Sequence, residues 1–231
     1  MPPARLAACG PGGVILYCRD GDRTSSQSTI AFFDGQNLFH AAREAFGNKH
    51  PNYGPLELAN SICVLKGWDL VQTRFYTGIP DPADAPFWHD YWSRRLQALS
   101  RKGVVVYSRP LRYRNKIVRL PDGSEHAFAA GEERGIDVRI ALDLIRLATH
   151  DEYDVGLIFS QDQDLSEVAD EIRSLARESD RWIKLASAFP SGPVSRNRRG
   201  INKTDWIPID RELYQRCVDP YDYRAPDRRR P

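Results

Sequence analysis

Cysteine is scarce and scattered in this chain: its 231 residues hold four, Cys9, Cys18, Cys63 and Cys217, with no CxxC pair among them. That spacing offers neither a zinc site nor a disulfide framework, and it suits a reducing compartment. The histidines, His40, His50, His89, His126 and His150, show no metal-ligand spacing either. Long apolar runs are also missing, since nothing approaches the ~20 residues that a bilayer-spanning helix needs. Near the N-terminus the apolar run Val14 to Tyr17 is short and is followed by Arg19 and Asp20, so no secretory pattern is read there. No G-x-G-x-x-G or G-x-x-x-x-G-K-[ST] follows a strand pattern, which removes the usual dinucleotide and P-loop sites. An aspartyl-phosphate phosphatase would need a second Asp two residues after Asp34, where Gln36 stands instead. The expectation is a cytoplasmic protein that does not enter a membrane.

What is present suits one domain. With 41% hydrophobic residues the chain can bury one full-sized core, and only a crowded second one. The formal net charge of +2 hides an uneven distribution. Acids gather between Glu132 and Asp180, whereas bases gather at 109–119 and 196–203. Such asymmetry suits an acidic metal site flanked by surfaces that attract phosphates.

Residues 1–28 mix Pro, Gly, Ser and charge without period and read as a flexible leader; 29–219 read as the folded domain, and 220–231 as a basic tail. Inside the domain, apolar runs of strand length alternate with segments of helical period. The strands are placed at Thr29 to Phe33, Leu70 to Tyr76, Val104 to Tyr107, Val155 to Phe159 and Trp182 to Ala186. Helices are placed from Gly35 through Phe46, and at Leu56 to Leu65, Pro86 to Lys102, Ile136 to Thr149 and Ser166 to Glu178. Between them lies a basic excursion, with a turn at Pro121-Asp122-Gly123. This alternation implies right-handed crossovers and a Rossmann-like three-layer α/β/α sandwich with a mostly parallel sheet of about five strands. No internal repeat is visible.

Ligands of such sheets sit beyond the carboxyl ends of the strands, where the winding reverses. Asp34 directly follows the first strand, and Asp162 and Asp164 follow the fourth. In the common order 3-2-1-4-5 those two strands are neighbours and their acids face one another. Asp137 joins them by periodicity, because it lies three and four residues before Ile140 and Ala141 on the apolar face of its helix. The helix dipole also favours a carboxylate in that first turn. Each acid alone has a plainer reading: Asp34-Gly35 as a strand-ending turn, Asp164 as a helix-start carboxylate, Asp137 as an exposed first-turn acid. Together they would repel by roughly 4 kcal/mol per pair at 4 Å unless a cation offsets them. Oxygen donors without Cys or His favour Mg²⁺ or Mn²⁺.

These stretches resemble the NYN domain, a branch of the PIN-like nucleases. The resemblance rests on Phe32-Phe33-Asp34-Gly35-Gln36-Asn37, on Glu133-Arg134-Gly135-Ile136-Asp137, and on Phe159-Ser160-Gln161-Asp162-Gln163-Asp164, in that order over about Ser28 to Ala188. It implies a metal-dependent ribonuclease, expected to act as an endoribonuclease, with Asp34, Asp137, Asp162 and Asp164 as metal-site acids and Asn37 as a polar neighbour. Asn37 suits orientation of a water or phosphate oxygen, and equally a helix cap. Leu165 departs from the aromatic residue expected there, and Arg109 to Ala130 reads as an insertion. Asp143 is expected at the surface or in a salt bridge, and Glu133 as a supporting acid.

RNA is the expected partner, with DNA not excluded. Arg109, Arg112, Arg114, Lys116 and Arg119, interrupted by Tyr113 and Asn115 but by no acid, can neutralise phosphates and stack on unpaired bases. A second basic stretch comprises Arg196, Arg198, Arg199 and Lys203; ordinary solvated loops are the alternative for both. Trp88 and Trp92 fall on the core stripe of their helix, which leaves Phe87 and Tyr91 for a substrate or for a second copy in a homo-oligomer. Two other classes compete: an RNA-binding or regulatory module with a vestigial metal site, and a small-molecule phosphatase or nucleotide-binding enzyme, which the missing motifs disfavour.

Overall fold

The computed structural model describes residues 26–119, 124–132 and 135–224. Most of the expected leader, the turn at Pro121-Asp122-Gly123, the supporting acid Glu133 and the end of the expected tail lie outside the described residues. Six parallel strands form one sheet in the order β3-β2-β1-β6-β7-β8. They are β1 (Gln27–Asp34), β2 (Trp68–Ile79), β3 (Val105–Pro110), β6 (Val155–Phe159), β7 (Lys184–Pro190) and β8 (Asp205–Ile209). The strands β4 (Arg112–Arg119) and β5 (Glu125–Glu132) pair with each other as an antiparallel hairpin. The helices are α1 (Gly35–Phe46), α2 (Pro55–Lys66), α3 (Pro86–Arg101), α4 (Ile136–Thr149), α5 (Ser166–Glu178) and α6 (Arg211–Arg216).

The three-layer α/β/α arrangement expected from the alternation is present, with one more strand than expected. The additional strand, β8, is short, contains Pro208 and pairs only at the sheet edge, where a missing N–H is tolerated. The basic excursion is a hairpin rather than an irregular loop. Alternation along a strand puts Arg112, Arg114 and Lys116 at register positions on one face of that ribbon, roughly 7 Å apart.

Alternation in β1 also divides the core and aims the site. Ala31 and Phe33 join the cluster under α1, α2 and α3; Ile30 and Phe32 join the cluster under α4 and α5. Phe33 stacks on Phe159 of β6 with ring centroids 3.8 Å apart, clamping the two central strands. Full burial of such a ring contributes roughly 1.5–3 kcal/mol. Asp34, two residues after Phe32, therefore belongs to the α4/α5 face. Gly35 then starts α1 so tightly that a Cβ would come within 2.7 Å of the Phe75 ring, which is why Gly follows the acid.

Two expectations change. Tyr91 is buried in the α3 core and donates its hydroxyl to the Pro51 carbonyl at 3.0 Å, so it faces neither solvent nor a partner; Phe87 is exposed. Asp143 is not a surface residue but is 1% exposed. It accepts hydrogen bonds from Tyr76 at 2.8 Å, Arg74 at 3.0 Å and Arg139 at 3.2 Å. Burial alone would raise the Asp143 carboxyl, but Tyr76 and these guanidiniums outweigh it and hold the group below the usual range. The salt-bridge half of the expectation stands: helical period ignored Arg74, which β2 presents to this face of α4.

Candidate active site

Winding reverses between β1 and β6, so the crevice beyond their carboxyl ends is the switch point of this sheet. Asp34 ends β1 there. It is 7% exposed and caps α1, its Oδ1 accepting the Asn37 N–H at 3.1 Å. Helix capping thus falls to Asp34 rather than to Asn37. Its Oδ2 accepts the Ser160 hydroxyl at 3.2 Å from the end of β6. Ser160 is a hub the sequence did not single out. Its Oγ also accepts the Asp162 N–H at 3.1 Å, and its carbonyl accepts the Ser187 hydroxyl at 2.8 Å. The available signal was its place two residues after buried Ile158, on the same strand face as Asp34.

Asp162 caps a short 3-10 turn (Gln163–Leu165), accepting the Asp164 N–H at 3.1 Å. Asn37 bridges the two acid-bearing turns, its Oδ1 accepting the Gln161 N–H at 2.9 Å. Asp137 stands in the first turn of α4 after Gly135, whose φ is 70°. That left-handed conformation suits Gly, and a Cβ would lie 2.7 Å from Arg109 Nη1. Arg109 therefore packs against the start of the helix that carries Asp137.

Electrostatics tie three of the four acids together. The Asp34 carboxyl is pushed up to about 6, first by burial and then by the nearby charges of Asp162 and Asp137, against the lowering effect of its Asn37 and Ser160 hydrogen bonds. Asp164 is exposed and donates its N–H to the Asp162 carboxylate. The charges of Asp137 and Asp162 thus reach Asp34, and Asp164 lies exposed beside Asp162. Among the described residues none of the four acids forms a salt bridge, and no three His, Cys, Asp or Glu groups stand close enough to enclose an ion by themselves. A buried, unpaired carboxylate repelled by two others is nevertheless the donor set that a hard divalent cation relieves.

Cations flank the acids on two sides. On one, a cleft of about 580 Å³ is lined by Arg109, Pro110, Leu111, Arg112 and Gly135. Tyr107 beside it lies 5.5 Å from Arg109 and 5.0 Å from Arg139, ring centroid to guanidinium. Arg74, Arg139 and Arg146 share the single carboxylate of Asp143, so positive charge is left over there. On the other side runs the loop with Arg196, Arg198 and Arg199. The side chains of Tyr113, Arg114 and Lys116 lie outside the described residues.

With this geometry in view, the family comparison is decisive: the NYN domain model matches residues 28–180, more than half of the chain. The chain belongs to the NYN family. The NYN domain is a PIN-like nuclease domain, so the family-level expectation is a nuclease acting on nucleic acid. Among solved structures, a protein of unknown function from Vibrio parahaemolyticus is similar with a TM-score of 0.52 and 20% identity, over 83% of this chain and 98% of that one. That likeness shows the fold alone. A ribokinase from Giardia lamblia overlaps with a TM-score of 0.35 and 8% identity, over 80% of this chain and 58% of that one, too loosely to bear on the NYN site. No curated protein matches the chain. Among the described residues no helix is long and apolar enough to cross a membrane.

Proposed function

We propose that the chain is a metal-dependent ribonuclease, cutting within RNA at the cluster of Asp34, Asp137 and Asp162, with Asp164 at its outer edge and Mg²⁺ or Mn²⁺ as cofactor. The observation that carries this reading is the buried Asp34 carboxyl, pushed up to about 6 and without a cationic partner among the described residues. Asp34, Asp137 and Asp162 would hold the ion, with waters or phosphate oxygens completing its surroundings, as Mg²⁺ favours. When bound, such an ion polarises a phosphoryl oxygen and lowers the pKa of water at the phosphodiester.

The chain's own groups set the geometry. Ser160 and the Asn37 N–H fix the Asp34 oxygens, and the Asn37 side chain holds the Asp162 turn beside them. Donors fixed before substrate arrives need no reorganisation during reaction. Arg109 and Arg112, with Tyr113, Arg114 and Lys116 of the hairpin, receive flanking phosphates and bases, and Arg196 and Arg199 do so on the other side. Cationic walls on both sides of the acids favour a strand that passes through the site, hence cleavage at internal bonds.

Incubation of the full chain with labelled RNA and DNA pools tests this. RNA is expected to shorten only with Mn²⁺ or Mg²⁺, to stop on chelation, and to be cut faster than DNA. RNA and DNA both left intact in both metals would refute the nuclease and leave the RNA-binding module, and cleavage of DNA alone would refute the RNA substrate.

A further inference from the structure

The loop between β7 and β8 is fastened to the turn that carries Asp162 and Asp164. Gln161 Nε2 donates to the carbonyls of Asn197 at 3.3 Å and Arg199 at 2.7 Å. Gln163 Nε2 donates to the Gly200 carbonyl at 3.0 Å, and its Oε1 accepts the Asn202 N–H at 3.1 Å. Ser187, buried in β7, accepts the Ile201 N–H at 3.1 Å. Gly200 sits so close that a Cβ would lie 2.6 Å from Trp206 and 2.9 Å from the Ser187 hydroxyl. Between Ser160 and Leu165, glutamines that grip the basic loop therefore interleave with the acids.

The loop's cations are not equivalent. Arg198 donates to the carbonyls of Ser195 at 3.3 Å and Pro193 at 2.7 Å, within its own loop. Lys203 is paired with Asp170. Arg196 and Arg199 are exposed, and neither guanidinium has a partner among the described residues. Gln161 holds the carbonyl of Arg199 itself.

We infer that Gln161 and Gln163 are positioning residues that fix the 197–202 segment against the acid-bearing turn, so that Arg199 meets the phosphate next to the one cut on a single strand of RNA. This rests on the nuclease reading for the place of the scissile phosphate. A guanidinium binds a phosphate well only where its backbone is held to a fraction of an ångström, which two glutamines anchored in the acid turn supply.

Binding of a fluorescein-labelled single-stranded RNA to the full chain, followed by anisotropy in EDTA across a salt series, reads this without cleavage. Each phosphate contact on a single strand contributes about 0.7 to the salt slope. Arg199→Ala is expected to lower the slope by about 0.7 and weaken binding about tenfold. The variant carrying Gln161→Leu and Gln163→Leu is expected to match it, and adding Arg199→Ala to that variant to lose little more. Arg101→Ala, at the exposed end of α3 where β3 begins and so at the opposite edge of the sheet, should leave the slope unchanged. An unchanged slope in the glutamine variant, fully additive losses, or no salt-dependent binding by the unaltered chain overturns the inference. If the double variant loses its circular dichroism spectrum, Gln163→Leu alone carries the comparison. Failure of the unaltered chain to cut RNA with Mn²⁺ would refute the nuclease reading separately, leaving this comparison of slopes intact.

Discussion

Asp34→Asn is expected to lower metal-supported RNA cleavage about a thousandfold, close to 4 kcal/mol of transition-state stabilisation, while leaving the circular dichroism spectrum unchanged. Asparagine retains an oxygen for the Asn37 N–H and can donate to Ser160, so the strand end and the α1 cap persist. What disappears is the negative charge at the centre of the cluster. Asp137→Asn and Asp162→Asn should act in the same direction, because both charges bear on Asp34. Asp164→Asn should cost far less, given its exposed place at the edge. Single-turnover assays on the four purified variants check the ranking. An Asp164→Asn loss equal to that of Asp34→Asn would mean that the outer acid is as central as the inner ones.

The same substitution is expected to stabilise the metal-free protein at neutral pH. Asp34 goes from an ordinary value of 3.8 to about 6 in the folded chain, so the folded state holds this proton more tightly than the unfolded state does. Its contribution to stability is therefore greatest below about pH 4, falls as pH rises towards 6, and levels off above that. At pH 7.5 the shift corresponds to at most about 3 kcal/mol, and loss of a charge-assisted cap bond returns roughly 1 kcal/mol. Asp34→Asn should thus match the unaltered chain near pH 4 and exceed it by about 2 kcal/mol at pH 7.5 in urea unfolding with EDTA. Excess Mn²⁺ should reverse the order, since a ligand of the native state stabilises only the chain that binds it. A variant less stable than the unaltered chain at pH 7.5 in EDTA would show that burial and neighbouring charge do not disfavour the Asp34 carboxylate.

The acids were legible because each reports through a strong local rule. Strand-ending carboxylates on β1 and β6 needed only the neighbouring placement of those strands, and Asp137 needed only the period of α4. The helices Ile136–Thr149 and Ser166–Glu178 have the bounds expected from their patterns. What escaped notice depends on contacts remote in sequence. Arg74 and Asp143 are separated by 69 residues, and neither announces burial until β2 and α4 are packed together. The grip of Gln163 on Gly200 spans 37 residues and joins two stretches that read separately as an acid motif and a basic loop. Strand β8 was missed because Pro208 argues against a strand unless its edge position is known. The hairpin was missed because the Ala and Gly of β5 carry little strand propensity, so pairing with β4 rather than local preference sets its conformation.

Calorimetric titration of the metal-free chain with Mn²⁺ at pH 7.5 puts the convergence of the three acids to its most direct test. Saturable binding is expected, lost in Asp34→Asn, weakened in both Asp137→Asn and Asp162→Asn, and little changed in Asp164→Asn. Equal Mn²⁺ affinity in the unaltered chain and in Asp34→Asn would contradict a cation held between the ends of β1 and β6.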